Sequence, residues 1–252
     1  MSLPRFFVSS ILEPSSASFD VPLSAADLHH ANVIRLAKGE HIVLVDSSNT
    51  AREYKICELD ASHMCAEFVR EVEGECLPHV TLFQGVSKGE RMDFVMRHVT
   101  EVGISAIVPL FSSRCIVKLD EKKRASRMER WEKIVRSAAE QSGRSIIPEL
   151  KSPVNSREAC ELFAEYDRVL LAYEEVRNAR LRDSLEGISS TNKVAIIIGP
   201  EGGFSPEEDE MFVSCGAVHF GLGDTILRTE TAGLVASSLV LYELGALGNR
   251  VK

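Results

Sequence analysis

Two glycine-bearing loops in the last quarter of the chain carry the residues best suited to chemistry. The first loop, 199–203, reads Gly-Pro-Glu-Gly-Gly, and the second, 221–228, begins Gly-Leu-Gly and ends at an arginine. Arg228 is followed two residues later by Glu230. The planar fork of an arginine suits recognition of a phosphate or a base, so this pair is a candidate for catalysis. The alternative is structural, with Thr229 capping the last helix and Glu230 stabilising its first turn.

Each loop follows an apolar run that is typical of a strand. The runs are Val194–Ile198 and Val218–Gly221, and the loops lie roughly 25 residues apart, the spacing of one βαβ unit. The carboxyl ends of neighbouring parallel strands meet at one edge of a sheet, where ligands bind. Glycine lets the backbone approach a ligand closely because it has no Cβ. We therefore expect the two loops to form one cofactor pocket.

Neither loop matches a common nucleotide-binding motif. Loop 199–203 lacks the Gly-Lys-Ser/Thr of a P-loop, which disfavours hydrolysis of a nucleoside triphosphate. Gly221-Leu222-Gly223 resembles the start of a dinucleotide fingerprint, but Ile226 stands at the third glycine position. A Rossmann site is therefore also disfavoured.

The elements that must position these loops divide the chain into two modules. Residues 1–75 read as a small β-rich, barrel-like module with a helix that begins near Ser24, and residues 77–252 read as an α/β domain. Residues 74–78 are predicted to be the linker, because the sequence pattern changes after them from β-rich to α/β. Strands are predicted at 5–8, 42–45, 53–59, 65–71, 80–86, 106–110, 168–173, 194–198 and 218–221, and helices at 92–102, 122–142, from 206 onward and at 229–245.

Helix boundaries and one unusual helix can also be predicted. Ser87 and Glu90 have the spacing of a capping box, and Ser205-Pro206-Glu207-Glu208 predicts a second capped helix start. The segment 229–245 is apolar on nearly every face. Such a helix is buried, either in a core or between subunits.

Composition is that of a globular protein and not of a membrane or secreted one. Of the 252 residues, 44% are hydrophobic and 26% are charged, and the six cysteines form no Cys-x-x-Cys motif. No apolar run approaches the roughly 18 residues needed to cross a bilayer. We expect a cytoplasmic protein with reduced thiols and no metal site.

Charge is distributed unevenly along the chain. The net charge is −8, yet residues 114–144 carry ten basic and five acidic side chains. One basic segment in an acidic protein is a candidate phosphate-contacting face. A solvated helix with surface salt bridges is the alternative.

Motifs along most of the chain, taken together, resemble those of one family. Ile-Gly-Pro-Glu-Gly-Gly-Phe-Ser (198–205) and Leu-Gly-Asp-Thr-Ile-Leu-Arg-Thr-Glu-Thr-Ala (222–232) resemble the signature of the RsmE family, the 16S ribosomal RNA uracil-N3 methyltransferases of the SPOUT or trefoil-knot class. Further matches occur in the family's order at 4–8, 29–36, 88–95, 101–103, 114–120, 130–135, 139–144 and 147–149.

The resemblance implies a fold and a cofactor. Residues 1–75 would form a PUA-like RNA-binding β-barrel, and residues 77–252 a trefoil-knotted α/β methyltransferase domain with a mostly parallel sheet. The protein would be a homodimer with its last helix at the interface. S-adenosylmethionine would be held in the knot, mainly by backbone atoms of Leu171, Ala172, Gly199, Glu201, Gly202, Leu222, Gly223, Ile226 and Leu227.

The resemblance also implies a reaction. A methyl group would pass from S-adenosylmethionine to N3 of a uridine in 16S ribosomal RNA, within the small ribosomal subunit and without a metal. Arg228 would stabilise the uracil imidate, and Glu230 would either orient that arginine or take the proton. Phosphates would be held across a dimer cleft by Arg5, His30, Arg35, Arg114, Lys118, Lys122, Lys123, Arg127 and Arg144.

One departure from the family pattern and two rival functions stay open. Asp224-Thr225 stands where many members have Pro-Arg, which removes a possible RNA contact. The first rival is a SPOUT ribose 2′-O-methyltransferase acting on ribosomal or transfer RNA. The second is a non-catalytic RNA-binding module that assists ribosome assembly.

Overall fold

The computed structural model describes residues 3–14, 17–115, 121–173, 176 and 179–248. The chain divides into two compact units. One unit contains residues 1–76 and 139–146, and the other contains residues 77–138 and 147–252.

The first unit is built on a five-stranded mixed sheet. Its strands are β1 (Arg5–Phe7), β2 (Phe19–Asp20), β3 (His41–Val45), β4 (Ala51–Leu59) and β5 (Met64–Glu71), in the order β1-β3-β4-β5-β2, with helix α1 at Ala25–Val33. Only the β1–β3 pairing is parallel. The core of the unit includes Phe6, Ile42, Leu44 and Tyr54, each at most 1% exposed. The strands predicted at 5–8, 42–45, 53–59 and 65–71 are all present, whereas the short β2 was not anticipated.

The segment 139–146 belongs to this first unit because Glu75 binds it. Arg144 is 5% exposed, and its Nε and Nη2 atoms donate to the Glu75 carboxylate at 3.1–3.2 Å. The backbone N–H of Ile146 donates to the same carboxylate at 3.1 Å. This segment lies within the predicted second domain, 77–252, and Arg144 is one of the residues predicted to bind RNA. Its guanidinium is buried against Glu75, and its contact with RNA stays a prediction.

The second unit contains a seven-stranded parallel sheet. Its strands are β6 (Val80–Gly85), β7 (Ala106–Phe111), β8 (Glu149–Leu150), β9 (Val154–Asn155), β10 (Arg168–Ala172), β11 (Val194–Ile198) and β12 (Ala217–Phe220), in the order β12-β10-β11-β6-β7-β8, with β9 also paired to β7. In the middle of the sheet, Ile197 of β11 is in register with Phe83 and Leu171. All three are fully buried, as expected for a parallel sheet covered on both faces.

Helices cover both faces of this sheet. They are α2 (Arg91–Val102), α3 (Glu121–Ser142), α4 (Ser156–Leu162), α5 (Leu181–Ser184), α6 (Pro206–Ser214) and α7 (Thr229–Glu243), with a 3-10 turn at Phe163–Glu165. One core lies where α2, α3 and α7 pack on the sheet and includes Met96, Trp131 and Val240. The core on the other face includes Phe163 and Phe212. Among the described residues, no helix has the length and apolar character needed to span a bilayer.

Helix starts were predicted with mixed success. Helix α6 begins as predicted, because Ser205 Oγ accepts from the N–H of Glu208 at 3.2 Å and Glu208 Oε2 accepts from the N–H of Ser205 at 3.1 Å. The capping box predicted at Ser87 is wrong. Its hydroxyl donates to the carbonyl of Gly85 at 3.3 Å, and α2 begins only after Glu90, without a side-chain cap.

Candidate active site

A cavity of about 470 Å³ opens at the carboxyl ends of β10, β11 and β12. Its walls are the segment after β10, the two glycine-bearing loops and the start of α7. The volume falls within the range of about 300–1,000 Å³ typical of small-molecule sites. The two loops singled out in the sequence therefore line one pocket at the sheet edge where ligands bind.

The first loop is pressed closely against the end of β6. A Cβ atom on Gly85 would lie 2.2 Å from the backbone nitrogen of Pro200 and 2.5 Å from the carbonyl carbon of Gly199. No side chain larger than hydrogen can occupy that position without displacing the loop. The loop is closed by a 2.9 Å hydrogen bond from the N–H of Gly203, which has φ +65°, to the carbonyl oxygen of Pro200.

Thr229 joins the first loop to helix α7. Its Oγ1 atom donates to the carbonyl oxygen of Gly199 at 2.5 Å and accepts from Nε2 of Gln84 at 2.9 Å. Gln84 is a fully buried residue of β6. Thr229 does not cap α7 as the structural alternative expects, because the N-cap position belongs to Arg228 and has no side-chain cap. The hydroxyl is already engaged in holding the pocket walls together.

A cluster of one arginine and two carboxylates lines another part of the cavity. Arg91, the first residue of α2, pairs through Nη1 with Glu201 Oε1, and its Nε atom lies 3.8 Å from Glu230 Oε2. The N–H of Lys88 donates to Glu201 at 3.0 Å. Burial disfavours the charged form of Glu201, but backbone N–H groups and the Arg91 guanidinium outweigh it and hold the pKa of that carboxyl below its ordinary value.

Most residues predicted to bind the cofactor line the cavity, and two do not. Those that line it are Ala172, Gly199, Glu201, Leu222, Gly223, Ile226 and Leu227. Leu171 is fully buried within β10. Gly202 faces Arg114, whose Nη1 donates to its carbonyl oxygen at 3.1 Å. Both members of the predicted catalytic pair, Arg228 and Glu230, line the cavity.

The residues predicted to bind RNA are spread over both units. In the first unit Arg5 is half-buried, and burial lowers the pKa of its guanidinium although the charge of Glu75 acts in the opposite direction. His30 and Arg35 are exposed there. In the second unit the exposed or half-buried residues are Arg114, Lys122, Lys123 and Arg127. Lys118 lies outside the described residues.

Sequence reasoning missed two residues of the site, Gln84 and Arg91. A signal for Gln84 existed, because a polar side chain interrupts the apolar run of β6 beside a glycine. For Arg91 the signal was only its place in the family match at 88–95, which indicates no contact. It stands at an ordinary helix start, and only the packing of α2 brings it to loops more than a hundred residues away.

Comparisons with known proteins agree with this geometry. Residues 75–241 match the model of the RNA methyltransferase domain family. The chain is 31% identical to the ribosomal RNA small subunit methyltransferase E of Bacillus subtilis, over 96% of this chain and 97% of that one.

The chain belongs to the ribosomal RNA small subunit methyltransferase E family.

Solved structures of two proteins have the same architecture. The ribosomal RNA small subunit methyltransferase E of Neisseria gonorrhoeae, bound to S-adenosyl methionine, superposes with a TM-score of 0.85 at 31% identity and covers 98% of this chain and 100% of that one. A Legionella pneumophila methyltransferase in complex with bound cofactor SAM gives 0.84 at 32% identity over 95% and 97%. The expected α/β class, with a small mixed sheet before a parallel-sheet methyltransferase domain, is confirmed.

Proposed function

We propose that this protein transfers a methyl group from S-adenosylmethionine to N3 of a specific uridine in 16S ribosomal RNA of the small ribosomal subunit. The observation that carries the proposal is the closed junction of the two family-signature loops around one cavity at the carboxyl edge of a parallel sheet. Relatives of matching length and fold are named for methylation of small-subunit ribosomal RNA.

The cavity fits the methyl donor. Its wall combines apolar side chains such as Leu222 and Leu227 with three carboxylates, those of Glu201, Asp224 and Glu230. Negative side chains suit a ligand that carries a sulfonium cation. When bound, S-adenosylmethionine supplies an electrophilic methyl group, so no metal is needed. We assign its binding to backbone groups of Ala172, Gly199, Glu201, Leu222, Gly223, Ile226 and Leu227.

The protein's contribution to the reaction is alignment and charge stabilisation. Arg228 is exposed at the cavity, where its guanidinium can reach an incoming base and stabilise the anionic uracil imidate. Glu230 lines the same cavity and completes the catalytic pair. Holding nucleophile and methyl in line supplies much of the remaining acceleration.

The target uridine must be presented unpaired. N3 lies on the Watson–Crick edge, so the base has to be splayed out of its stack. We assign residues 1–75 as a PUA-like RNA-binding module with contacts from Arg5, His30 and Arg35. The predicted domain 77–252 adds Arg114 and, at the start of α3, Lys122, Lys123 and Arg127. Their positive charge suits phosphate contacts.

Two further features of the family complete the proposal. We assign a trefoil knot to the two loops, and the hydrogen bond from Thr229, just after the second loop, to Gly199 of the first supports their close association. Helix α7 buries one face in its own core, yet Leu239 is 39% and Tyr242 57% exposed, which supports a homodimer through this helix. Because small ribosomal subunits are assembled in the cytoplasm, the proposed location is cytoplasmic.

Primer extension on 16S RNA tests the function. N3-methyluridine cannot pair and stops reverse transcriptase, so cells lacking the protein should lose one stop, and the wild-type gene should restore it. An unchanged pattern would refute uracil-N3 methylation. Ribose methylation is separated by alkaline hydrolysis followed by mass mapping, because a 2′-O-methyl group protects the adjacent phosphodiester and a base methyl group does not.

A further inference from the structure

We infer that Glu230 is the base that takes the uracil N3 proton and that Arg91 is the residue that positions it. This inference rests on the proposed function and adds two things to it. It chooses between the two roles open to Glu230, and it gives a function to an arginine outside both signature loops.

Glu230 lines the cavity, and its Oε2 atom lacks a hydrogen-bond donor among the described residues. Its side chain is 15% exposed, and Oε2 is buried with no hydrogen-bond partner among the described residues. A buried carboxylate oxygen is ordinarily hydrogen-bonded. Oε2 faces Arg91, while the residue lines the binding cavity, so the carboxylate is suited to a donor carried by the ligand, and the N3–H of uracil is such a donor.

Arg228 is poorly placed to orient this carboxylate or to be oriented by it. Arg228 is the N-cap of α7, and Glu230 is the second residue of the helix. Among the described residues, the ion pair of Glu230 is with Arg91 and not with Arg228. The guanidinium directed at Glu230 is that of Arg91, whose Nε atom lies 3.8 Å from Oε2.

Arg91 itself is held in place by Glu201. The Glu201 carboxylate receives both the Arg91 guanidinium and the N–H of Lys88, so it is occupied and serves as an anchor. One face of the arginine fork is thereby fixed to the first glycine loop while Nε points towards Glu230. A guanidinium can bridge two carboxylates with a fixed geometry, which an ammonium group cannot reproduce.

The proposed step is balanced. The Glu230 carboxylate takes the N3 proton, and the nitrogen electron pair forms the bond to the methyl carbon as the carbon–sulfur bond breaks. The electron pair of the broken bond stays on sulfur. The products are N3-methyluridine, S-adenosylhomocysteine and a protonated Glu230, which returns its proton to solvent when the products leave.

The first test is a double-mutant cycle on single-turnover methylation of unmethylated small subunits at saturating methyl donor. Arg91→Gln and Glu230→Gln should each lower the rate about 100-fold or more. The rate of the double variant should lie within about threefold of the rate of the slower single variant. Arg91→Lys should recover only part of the loss. Arg97→Gln, an exposed arginine on the same helix, should leave the rate unchanged.

The second test does not depend on activity. Calorimetry with S-adenosylmethionine should show weaker binding by Arg91→Gln and by Glu201→Gln, with no further loss in their double variant, since both release the same loop. Glu230→Gln leaves the Arg91–Glu201 pair intact, so it should lose less donor affinity than Arg91→Gln does. Thermal melts identify any variant that does not fold. If Arg91→Gln does not fold, Arg91→Lys replaces it in the cycle.

Several outcomes would overturn the inference. Multiplying losses in the Arg91–Glu230 cycle would mean that the two residues act independently, and a rate near wild type for Glu230→Gln would exclude it as the base. Either result leaves methylation by the wild-type protein intact. If the wild-type protein itself methylates no uridine N3, the proposed function fails, and this inference fails with it.

Discussion

The hydroxyl of Thr229 donates a 2.5 Å hydrogen bond to the carbonyl oxygen of Gly199. The bond joins the first turn of α7 to the loop that follows β11. Because Gln84 donates to the same hydroxyl from inside β6, three segments distant in sequence meet at one oxygen atom. Two of these segments, the first loop and the start of α7, are walls of the cavity.

Removing the Thr229 hydroxyl should loosen the pocket. Thr229→Val keeps the shape but leaves the buried Gln84 amide and the Gly199 carbonyl without this partner, at a cost of roughly 1–3 kcal/mol. We expect a lower melting temperature and weaker binding of S-adenosylmethionine, measured by calorimetry. Thr229→Ser retains the hydroxyl, so its melting temperature and its affinity for S-adenosylmethionine should stay close to those of the wild-type protein. Donor affinity that is unchanged in Thr229→Val would contradict the proposed coupling.

Because Gly85 lies so close to the first loop, we expect that substitution of Gly85 by a larger residue is strongly destabilising. A methyl group placed 2.2 Å from the Pro200 nitrogen must displace the loop or the strand, so Gly85→Ala should destabilise the second unit by about 3 kcal/mol or more. Urea denaturation measures this, and donor binding should be lost with it. Gly74→Ala is the matched control, because its nearest neighbour would be 3.8 Å away. Equal stability of the two variants would refute the crowding argument.

Arg228 should matter for turnover and not for donor binding. Arg228→Ala removes the proposed stabiliser of the imidate, and we expect a fall of at least about 100-fold in the single-turnover rate. The donor is held by backbone groups, so its dissociation constant should change by less than about threefold. Calorimetry and rapid quench on the same preparation check both. Normal turnover by this variant would exclude the assigned role.

The basic start of α3 should set the salt dependence of RNA binding. Replacing Lys122, Lys123 and Arg127 together with alanine should weaken binding and reduce the log–log salt slope by up to about 2–3, since each phosphate contact contributes roughly 0.7–0.9. Lys193→Ala is the control, because that exposed lysine precedes β11 at the opposite end of the sheet from the cavity. A slope that does not change in the triple variant would remove this face from the proposal.

The first unit should lose stability in acid through Asp46. Burial opposes its ionisation, but donors from Ser48, Leu12 and Thr50 prevail and lower its pKa to about 2. A carboxyl whose pKa is lower in the folded state contributes stability above its unfolded pKa of about 4, and that contribution is lost between about pH 4 and 2. Asp46→Asn should cost roughly 2 kcal/mol at pH 7, measured by urea denaturation. Between about pH 4 and 2, the free energy of unfolding of Asp46→Asn should change less with pH than that of the wild-type protein.

Local patterns in the sequence were sufficient for most elements. Apolar runs bounded by glycine located β11 and β12, and the Ser205–Glu208 capping box located the start of α6, because each depends on neighbours within a few residues. Ser87 shows where such reasoning fails. Its hydroxyl donates to the carbonyl of Gly85, and α2 begins only after Glu90, so the Ser87 oxygen does not accept from a backbone N–H at the start of that helix.

By itself, the sequence determined the family signature, the parallel α/β class and the candidate residues of the two loops. These follow from residue type and spacing along the chain. Tertiary structure decided which polar groups meet. It buried Arg144 against Glu75, brought Arg91 to Glu201 and Glu230, and linked Gln84 to Gly199 through Thr229. The physical reason is that hydrogen bonds and ion pairs form over a few ångströms, and only the packed fold brings distant segments within that range.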